Sequence, residues 1–169
     1  MSRKLSIDFP EDLYYLSKDI WINEVDIDTY ALGITDFLQK QLGDLVGIVT
    51  PQPETMVQEQ EEMLFVEGIK TDKEILAPAP LMVKKVNEGI TRNPELINEN
   101  PYDNWIIEIK FIGVDPRDLI MSLEDVLDEV YEEVGFVEEE PEMEEDIFGQ
   151  DNEESFDGGY GSESSFEDW

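Results

Sequence analysis

The feature that most constrains this chain is how its apolar residues are cut into short runs. Asp19-Ile20-Trp21-Ile22-Asn23, Thr29-Tyr30-Ala31-Leu32-Gly33-Ile34 and Leu45-Val46-Gly47-Ile48-Val49 are each of strand length. So are Glu62-Met63-Leu64-Phe65-Val66-Glu67, Glu74-Ile75-Leu76-Ala77 and Met82-Val83-Lys84-Lys85-Val86, and the alternating run from Asn104 to Phe111 closes the series. Turn residues such as Pro51, Pro53, Gly68 and Pro78 separate them. Many short strands with closely spaced turns predict a small antiparallel barrel or sandwich. Two segments read as helical instead. In Thr35–Gly43, Thr35 is a candidate N-cap and Gly43 suits a left-handed end position. From Pro116 to Val134, apolar residues at Leu119, Ile120, Leu123, Val126, Leu127, Val130 and Val134 have the spacing of one amphipathic helix.

Charge sets the next bound. The 169 residues carry 43 acids against 11 bases, a formal net charge of -32. Such a surface repels nucleic acid and anionic lipid, both of which need Lys and Arg to neutralise phosphate. Neither is an expected partner; proteins with basic patches are. No Lys or Arg follows Arg117, and from residue 136 the chain is acidic, rich in Gly and Ser and poor in aliphatics. A segment of that composition buries too little apolar surface to offset its ordering entropy, so 136–169 is read as a disordered acidic tail. Its Phe148, Phe156, Tyr160, Phe166 and Trp169 are interleaved with acids. That pattern fits either docking in a basic groove with an apolar pocket or a charge bristle against self-association.

The chain has no cysteine and no histidine. A disulfide framework, a thiolate metal site and the commonest general base are therefore excluded. The acids have no ordered loop spacing of the calcium-binding kind. The N-terminal apolar residues are broken by Asp8, Pro10, Glu11 and Asp12, unlike a secretory segment. No run approaches the roughly 20 apolar residues that span a bilayer. A cytoplasmic protein without a metal is expected.

One turn stands out. Between Phe65-Val66-Glu67 and Glu74-Ile75-Leu76-Ala77 lies a polar tip, Gly68-Ile69-Lys70-Thr71-Asp72-Lys73. A lysine displayed on a turn between two strands is what covalent attachment of a swinging cofactor requires. The amine stands clear for modifying and client enzymes, and the strands hold its backbone still. Glu67, Asp72 and Glu74 can steer a modifying enzyme with a basic site. An exposed lysine in a polar turn is otherwise simply a solvated charge.

The segment Glu67 to Pro78, E-G-I-K-T-D-K-E-I-L-A-P, resembles the lipoylation motif E-S-V-K-A-x-S-D-I-Y-A-P of the glycine cleavage system H proteins. Further pieces follow in order. Ala31-Leu32-Gly33-Ile34-Thr35-Asp36-Phe37 is similar to the family's V-G-I-T-D-Y/F, and Leu42-Gly43-Asp44-Leu45-Val46 to its L-G-D-I/V-V. Val86-Asn87-Glu88 matches a V-N-E. Asn93 to Tyr102 resembles S-P-E-L-I-N-x-x-P-Y, and Trp105-Ile106-Ile107-Glu108-Ile109-Lys110 resembles W-L-I-K-I-K. The likeness is collinear from about residue 14 to about residue 134.

That resemblance implies a mainly β fold, a lipoyl-domain-like hybrid barrel-sandwich with short helices and a C-terminal helix. It divides the chain into an N-terminal arm (1–13), an H-protein-like lipoyl domain (14–135) and the tail (136–169). It implies a carrier that is not itself an enzyme. Lipoic acid would be held covalently on Lys70, with Glu67 and Glu74 as flanking site residues. An aminomethyl group would pass from glycine decarboxylase to an aminomethyltransferase, and lipoamide dehydrogenase would reoxidise the arm. A lipoate ligase or transferase would install it. Lys73, three residues past the carrier position, is read as solvated. Trp21 and Trp105 are read as core residues, and Gly33 and Gly43 as positions set by backbone geometry.

The departures leave other functions open. Asp19-Ile20-Trp21 stands where the family has H-E-W, and an isoleucine cannot accept a hydrogen bond from an amine. Ala79-Pro80-Leu81-Met82 replaces V-S-G-E, and Leu tolerates positive φ poorly. An H-like lipoate carrier serving another pathway, such as sulfur oxidation or lipoate transfer, is the alternative within the family. A non-lipoylated adaptor is the alternative outside it.

Overall fold

The computed structural model describes residues 7–134. The expectations placed on 1–6 and on the acidic tail lie outside them. Residues 8–130 form one unit. Of the other unit, the described part is Ile7 and the helical Tyr131–Val134.

The strands are β1 (Tyr14–Tyr15), β2 (Ile20–Asp26), β3 (Thr29–Ile34), β4 (Leu45–Val49), β5 (Met56–Val57), β6 (Glu62–Gly68), β7 (Asp72–Leu76), β8 (Leu81–Val86) and β9 (Ile107–Phe111). The helices are α1 (Asp36–Leu42), α2 (Glu88–Arg92), α3 (Glu95–Glu99) and α4 (Leu123–Val134). A six-stranded sheet runs β1-β2-β3-β9-β8-β5 and a three-stranded sheet runs β4-β6-β7. Every strand pairing is antiparallel. This is the mainly β hybrid of sheets and short helices that the sequence predicts.

Both sheets feed one apolar cluster, which includes Ile22, Leu32, Ile34, Leu64, Val66, Leu81, Ile107 and Ile109. Each such side chain, fully buried, contributes about 1.5–3 kcal/mol. Side chains alternate along a strand, and in β2 both faces find cover. Ile20 and Ile22 enter the main cluster, while Trp21 joins Tyr15, Ala31 and Val126 in a second one. Trp105 is half-buried against that second cluster. In β6 a bulge between Glu62 and Leu64 breaks the alternation, so that Met63 and Leu64 are both buried.

The helical segment expected over Pro116–Val134 is interrupted. Pro116–Asp118 forms a 3-10 turn, Met121 bridges to Tyr15, and α4 begins only at Leu123. Ser122 explains the restart, because its hydroxyl accepts from the Asp125 N–H and caps a new helix. Leu81 lies in β8 and is not among the residues at positive φ, so the loss of the family's glycine there strains nothing.

The lysine hairpin and the adjoining cleft

Lys70 sits at the tip of the β6–β7 hairpin, where Glu67 pairs with Asp72 and the Gly68 N–H donates to the Thr71 carbonyl. The tip is tied to α1. That helix starts at Thr35, whose hydroxyl accepts from the Leu38 N–H, and it stops at Gly43. Gly43 has φ 79° and ψ -159°. This is not the left-handed helical conformation expected from sequence but a more extended one that is essentially confined to glycine. The reversal there leaves the last helical carbonyls without partners inside the helix. The hairpin supplies a partner for one of them, since Lys70 N–H donates to the Leu42 carbonyl at 2.9 Å, and just past the helix Ile69 N–H donates to the Asp44 carbonyl, also at 2.9 Å. The backbone of an exposed lysine is thereby held at two adjacent amides.

Two glycines permit this approach. A Cβ on Gly68 would stand 2.2 Å from the Leu42 carbonyl oxygen, and one on Gly43 would stand 3.0 Å from Lys70 Cγ. Asn98 braces the junction from α3. Its carboxamide oxygen accepts from the Leu45 N–H, and its Nδ2 donates to Gln39 Oε1 and the Gly43 carbonyl. In the sequence Asn98 belongs to the family-like motif without a role of its own, and a polar residue in so short a run carries no further signal.

The Lys70 side chain is exposed, with Nζ 3.4 Å from the Lys40 carbonyl. Among the described residues no carboxylate pairs with it. Glu67 and Glu74 are both exposed, yet they are not gathered on the amine. Glu67 lies across Gly47, where an added Cβ would be 3.0 Å from its Oε1. Glu74 faces Glu62, whose carboxyl is pushed up by desolvation and by that second carboxyl.

Beside the hairpin lies a cleft of about 160 Å³. Leu16, Ile20, Met63, Ile75 and Pro78 give it apolar walls, and Ser17, Asp19, Lys73 and Glu74 give it a polar side. Lys73 is two residues before the buried Ile75 on β7 and so shares its face. It is not the solvated lysine expected from sequence. Its Nζ stands 3.4 Å from Asp19 Oδ2, with the side chain 40% exposed. In the sequence Asp19 heads a strand-like run and departs from a family motif, with no site role. It is 6% exposed, and Lys18 Nζ also lies 3.6 Å from its Oδ2. Ile20, 4% exposed, belongs to the main core.

The arrangement suits a long arm with a largely aliphatic stem. Three residues of chain separate Lys70 from Lys73, a span of at most about 10 Å, which an extended lipoyl-lysine would cover, and the apolar walls suit a dithiolane ring. Among the described residues no cluster of acids is placed to hold a metal ion, and no helix is long and apolar enough to cross a membrane.

Gly33 has the role of a close approach: a Cβ there would lie 2.6 Å from the Trp21 ring. The indole fills that space and its Nε1 donates to the Ile34 and Pro101 carbonyls, at 3.0 and 3.1 Å.

Comparison with known proteins agrees with this geometry. The family profile described as "Glycine cleavage H-protein" matches residues 13–134. The chain is 36% identical over 118 residues to a probable glycine cleavage system H protein of Thermococcus gammatolerans, covering 70% of this chain and 84% of the relative. It is 38% identical over 121 residues to a probable one of Halobacterium salinarum, covering 71% and 93%. With the glycine cleavage system H protein of Clostridioides difficile it shares 35% over 111 residues, 66% and 89% of the two chains. In fold it is similar to the crystal structure of the Mycobacterium marinum H protein, with a TM-score of 0.62 and 24% identity, over 76% of this chain and 100% of that one. The matched residues include the whole lysine hairpin, the helix that clamps it and the cleft beside it, so the chain belongs to the glycine cleavage H-protein family.

Proposed function

We propose that this chain is the lipoyl carrier of a glycine cleavage system, bearing its cofactor on Lys70. The observation that carries the reading is the clamped hairpin: an exposed lysine side chain on a backbone fixed at Ile69 and Lys70. The lipoyl group, when attached, supplies a disulfide that can accept an aminomethyl group and return as a dithiol. The chain's own residues do the rest. The β6–β7 hairpin presents the lysine, α1 and Asn98 hold the hairpin, and the apolar walls of the cleft exclude water from whatever the arm brings in. Tethering raises the effective concentration of the arm at each client. The clients are glycine decarboxylase, the aminomethyltransferase and lipoamide dehydrogenase, with a lipoate ligase or transferase acting first. The carrier contributes no catalytic group of its own and works in the cytoplasm.

The test is intact-mass measurement after incubation with a lipoate ligase. Lys70→Arg is expected to abolish the lipoyl increment and Lys73→Arg to keep it. An increment that survives Lys70→Arg overturns the assignment.

A second reading keeps the lipoyl-lysine and changes the pathway. It is favoured by Ile20, which gives the cleft an apolar wall where the family has a carboxylate. Reconstitution of the lipoylated protein with a glycine decarboxylase separates the two. Release of CO₂ from glycine supports the first reading, and its absence supports the second.

A further inference from the structure

The outer face of the six-stranded sheet is basic where β8 and β9 meet. Among the described residues, Lys18, Lys40, Lys73, Arg92 and Arg117 are each paired with a carboxylate. Lys84, Lys85 and Lys110 are exposed and have no such pair among those residues. In a chain with 43 acids and 11 bases, lysines gathered in one place without a carboxylate need a reason. Their grouping follows from the register. Leu81 and Val83 on β8, and Ile109 and Phe111 on β9, fill the core. Met82 and Lys110, which are cross-strand partners, therefore point outward. The bulge between Val83 and Lys85 sets two residues of β8 against one of β9, so Lys84 and Lys85 follow one another on the outer side. Met56 on β5 pairs with Met82 and extends the face, itself 42% exposed. The acid of β9, Glu108, lies half-buried opposite Lys85 without pairing with it.

We propose that this lysine–methionine face is the docking surface for the chain's own acidic segment, residues 136–169. The composition of the segment is the complement of the face. Its acids, unmixed with any Lys or Arg, supply the carboxylates that Lys84, Lys85 and Lys110 lack. Its Phe148, Phe156, Tyr160, Phe166 and Trp169 supply rings for Met56 and Met82, whose thioethers pack well on aromatic edges. Lysine over a ring face adds a further attraction. Reach sets no limit. Extended, the residues beyond Val134 span on the order of 100 Å, several times the radius of gyration of about 14 Å that suits a body of this size. Attachment also does much of the binding. A segment on the same chain is presented at an effective concentration on the order of millimolar, so contacts too weak to hold a separate peptide suffice. Docking neutralises the face and withholds the acids from basic partners, which must displace the lysines to reach them. It requires no contact with the β6–β7 hairpin, which belongs to the other sheet, so it stands apart from the reading of Lys70.

The test uses the full-length, unlipoylated chain in dilute solution. A water-soluble carbodiimide joins a carboxylate directly to an amine in contact with it, and peptide mapping locates each join. Within the monomer, joins from 136–169 are expected at Lys84, Lys85 and Lys110, several-fold above those at Lys70, which likewise has no carboxylate pair. They are expected to fall several-fold between about 10 mM and about 150 mM sodium chloride, as the screening length drops from about 30 Å to about 8 Å. Replacing all five rings of the segment by serine leaves every charge in place and is expected to lower the yield several-fold. A second measurement needs no cross-linker. A glutamyl endopeptidase is expected to cut the segment several-fold faster in Lys84→Gln/Lys85→Gln/Lys110→Gln, whose substitutions lie on exposed positions and leave the core intact. Joins spread evenly over Lys70 and the three sheet lysines overturn the proposal, as do no joins at all, a yield indifferent to the rings or a cleavage rate unchanged in the triple variant. Joins at the three lysines found only between two molecules also overturn it, and make the occupant a second copy.

Discussion

Asp36 opens α1 and carries more interactions than its place in the family-like motif reveals. The Asp8 N–H donates to its Oδ2 at 2.9 Å, Gln39 Nε2 donates to its Oδ1 at 2.7 Å, and Lys40 Nζ sits 3.0 Å from Oδ2. Burial opposes the charged form, but these bonds outweigh it, and the carboxyl is held below its ordinary value. A carboxylate at the first turn of a helix is favoured by the dipole as well. A group whose folded pKa is depressed adds stability above its unfolded value, and that stability is lost as pH falls through the folded one. Asp36→Asn is therefore expected to lower stability by about 1–2 kcal/mol near neutral pH. The gap should close as the pH drops below about 4, the ordinary carboxylate range. Thermal melts of the two proteins across pH check this, and a gap that widens in acid would contradict it. The same network reaches outward: the Tyr102 hydroxyl accepts from the Asp36 N–H at 3.0 Å and donates to the Asp8 carbonyl. Burial first, with Asp8 and Asp36 nearby, keeps the Tyr102 phenol well above its usual range.

At the scale of elements, the decisive relation is between the end of α1 and the tip of the β6–β7 hairpin. Gly68→Ala places a methyl group against the Leu42 carbonyl and forces the hairpin away from the helix. The expected result is a loss of about 1–3 kcal/mol together with slower lipoylation of Lys70, read by melting and by ligase kinetics on the same samples. An alanine variant that melts and labels like the parent would show that the clamp is dispensable. How far such relations can be read from sequence depends on their range. β3, β4 and the bounds of α1 were legible, because β-branched runs and caps are local signals. The break before α4 was not, because Ser122 fits an exposed position of the apolar pattern and only its bond to Asp125 N–H shows that it starts a helix. The place of Lys70 on a turn between two strands was legible, because strand-like runs flank a short polar tip. The pairing of Lys73 with Asp19 was not, since it joins a strand to a segment distant in the chain, although counting back two from buried Ile75 would have placed Lys73 on the inner face. Glu67 and Glu74 were legible as exposed acids, but a linear motif cannot tell that neither makes an ion pair with the amine.

Over the whole molecule, charge dominates. A net charge of -32 repels itself in the folded state and draws basic surfaces from a distance. Two effects of salt follow with opposite consequences. Melting temperature is expected to rise as sodium chloride is raised from about 10 mM to about 150 mM, because the screening length falls from about 30 Å to about 8 Å. Over the same range, the second-order rate of lipoylation by a ligase with a basic site is expected to fall several-fold. A rate indifferent to salt would mean that Glu67, Asp72 and the remaining acids play no part in recruitment.

The clamp at Ile69 and Lys70 also fixes where motion begins. Their amides are bonded to the Leu42 and Asp44 carbonyls, at and just past the end of α1, although the residues themselves are exposed, so hydrogen exchange at these two positions should be slow for a loop tip. With a stationary pivot, a lipoyl arm carried on Lys70 would draw its reach from side-chain torsions alone, with nothing added by a flapping loop. Its sweep would be a dome of fixed radius over the hairpin. A client that places its reactive centre within that dome meets the arm at a concentration set by geometry, and one that places it a few ångströms beyond does not meet it at all.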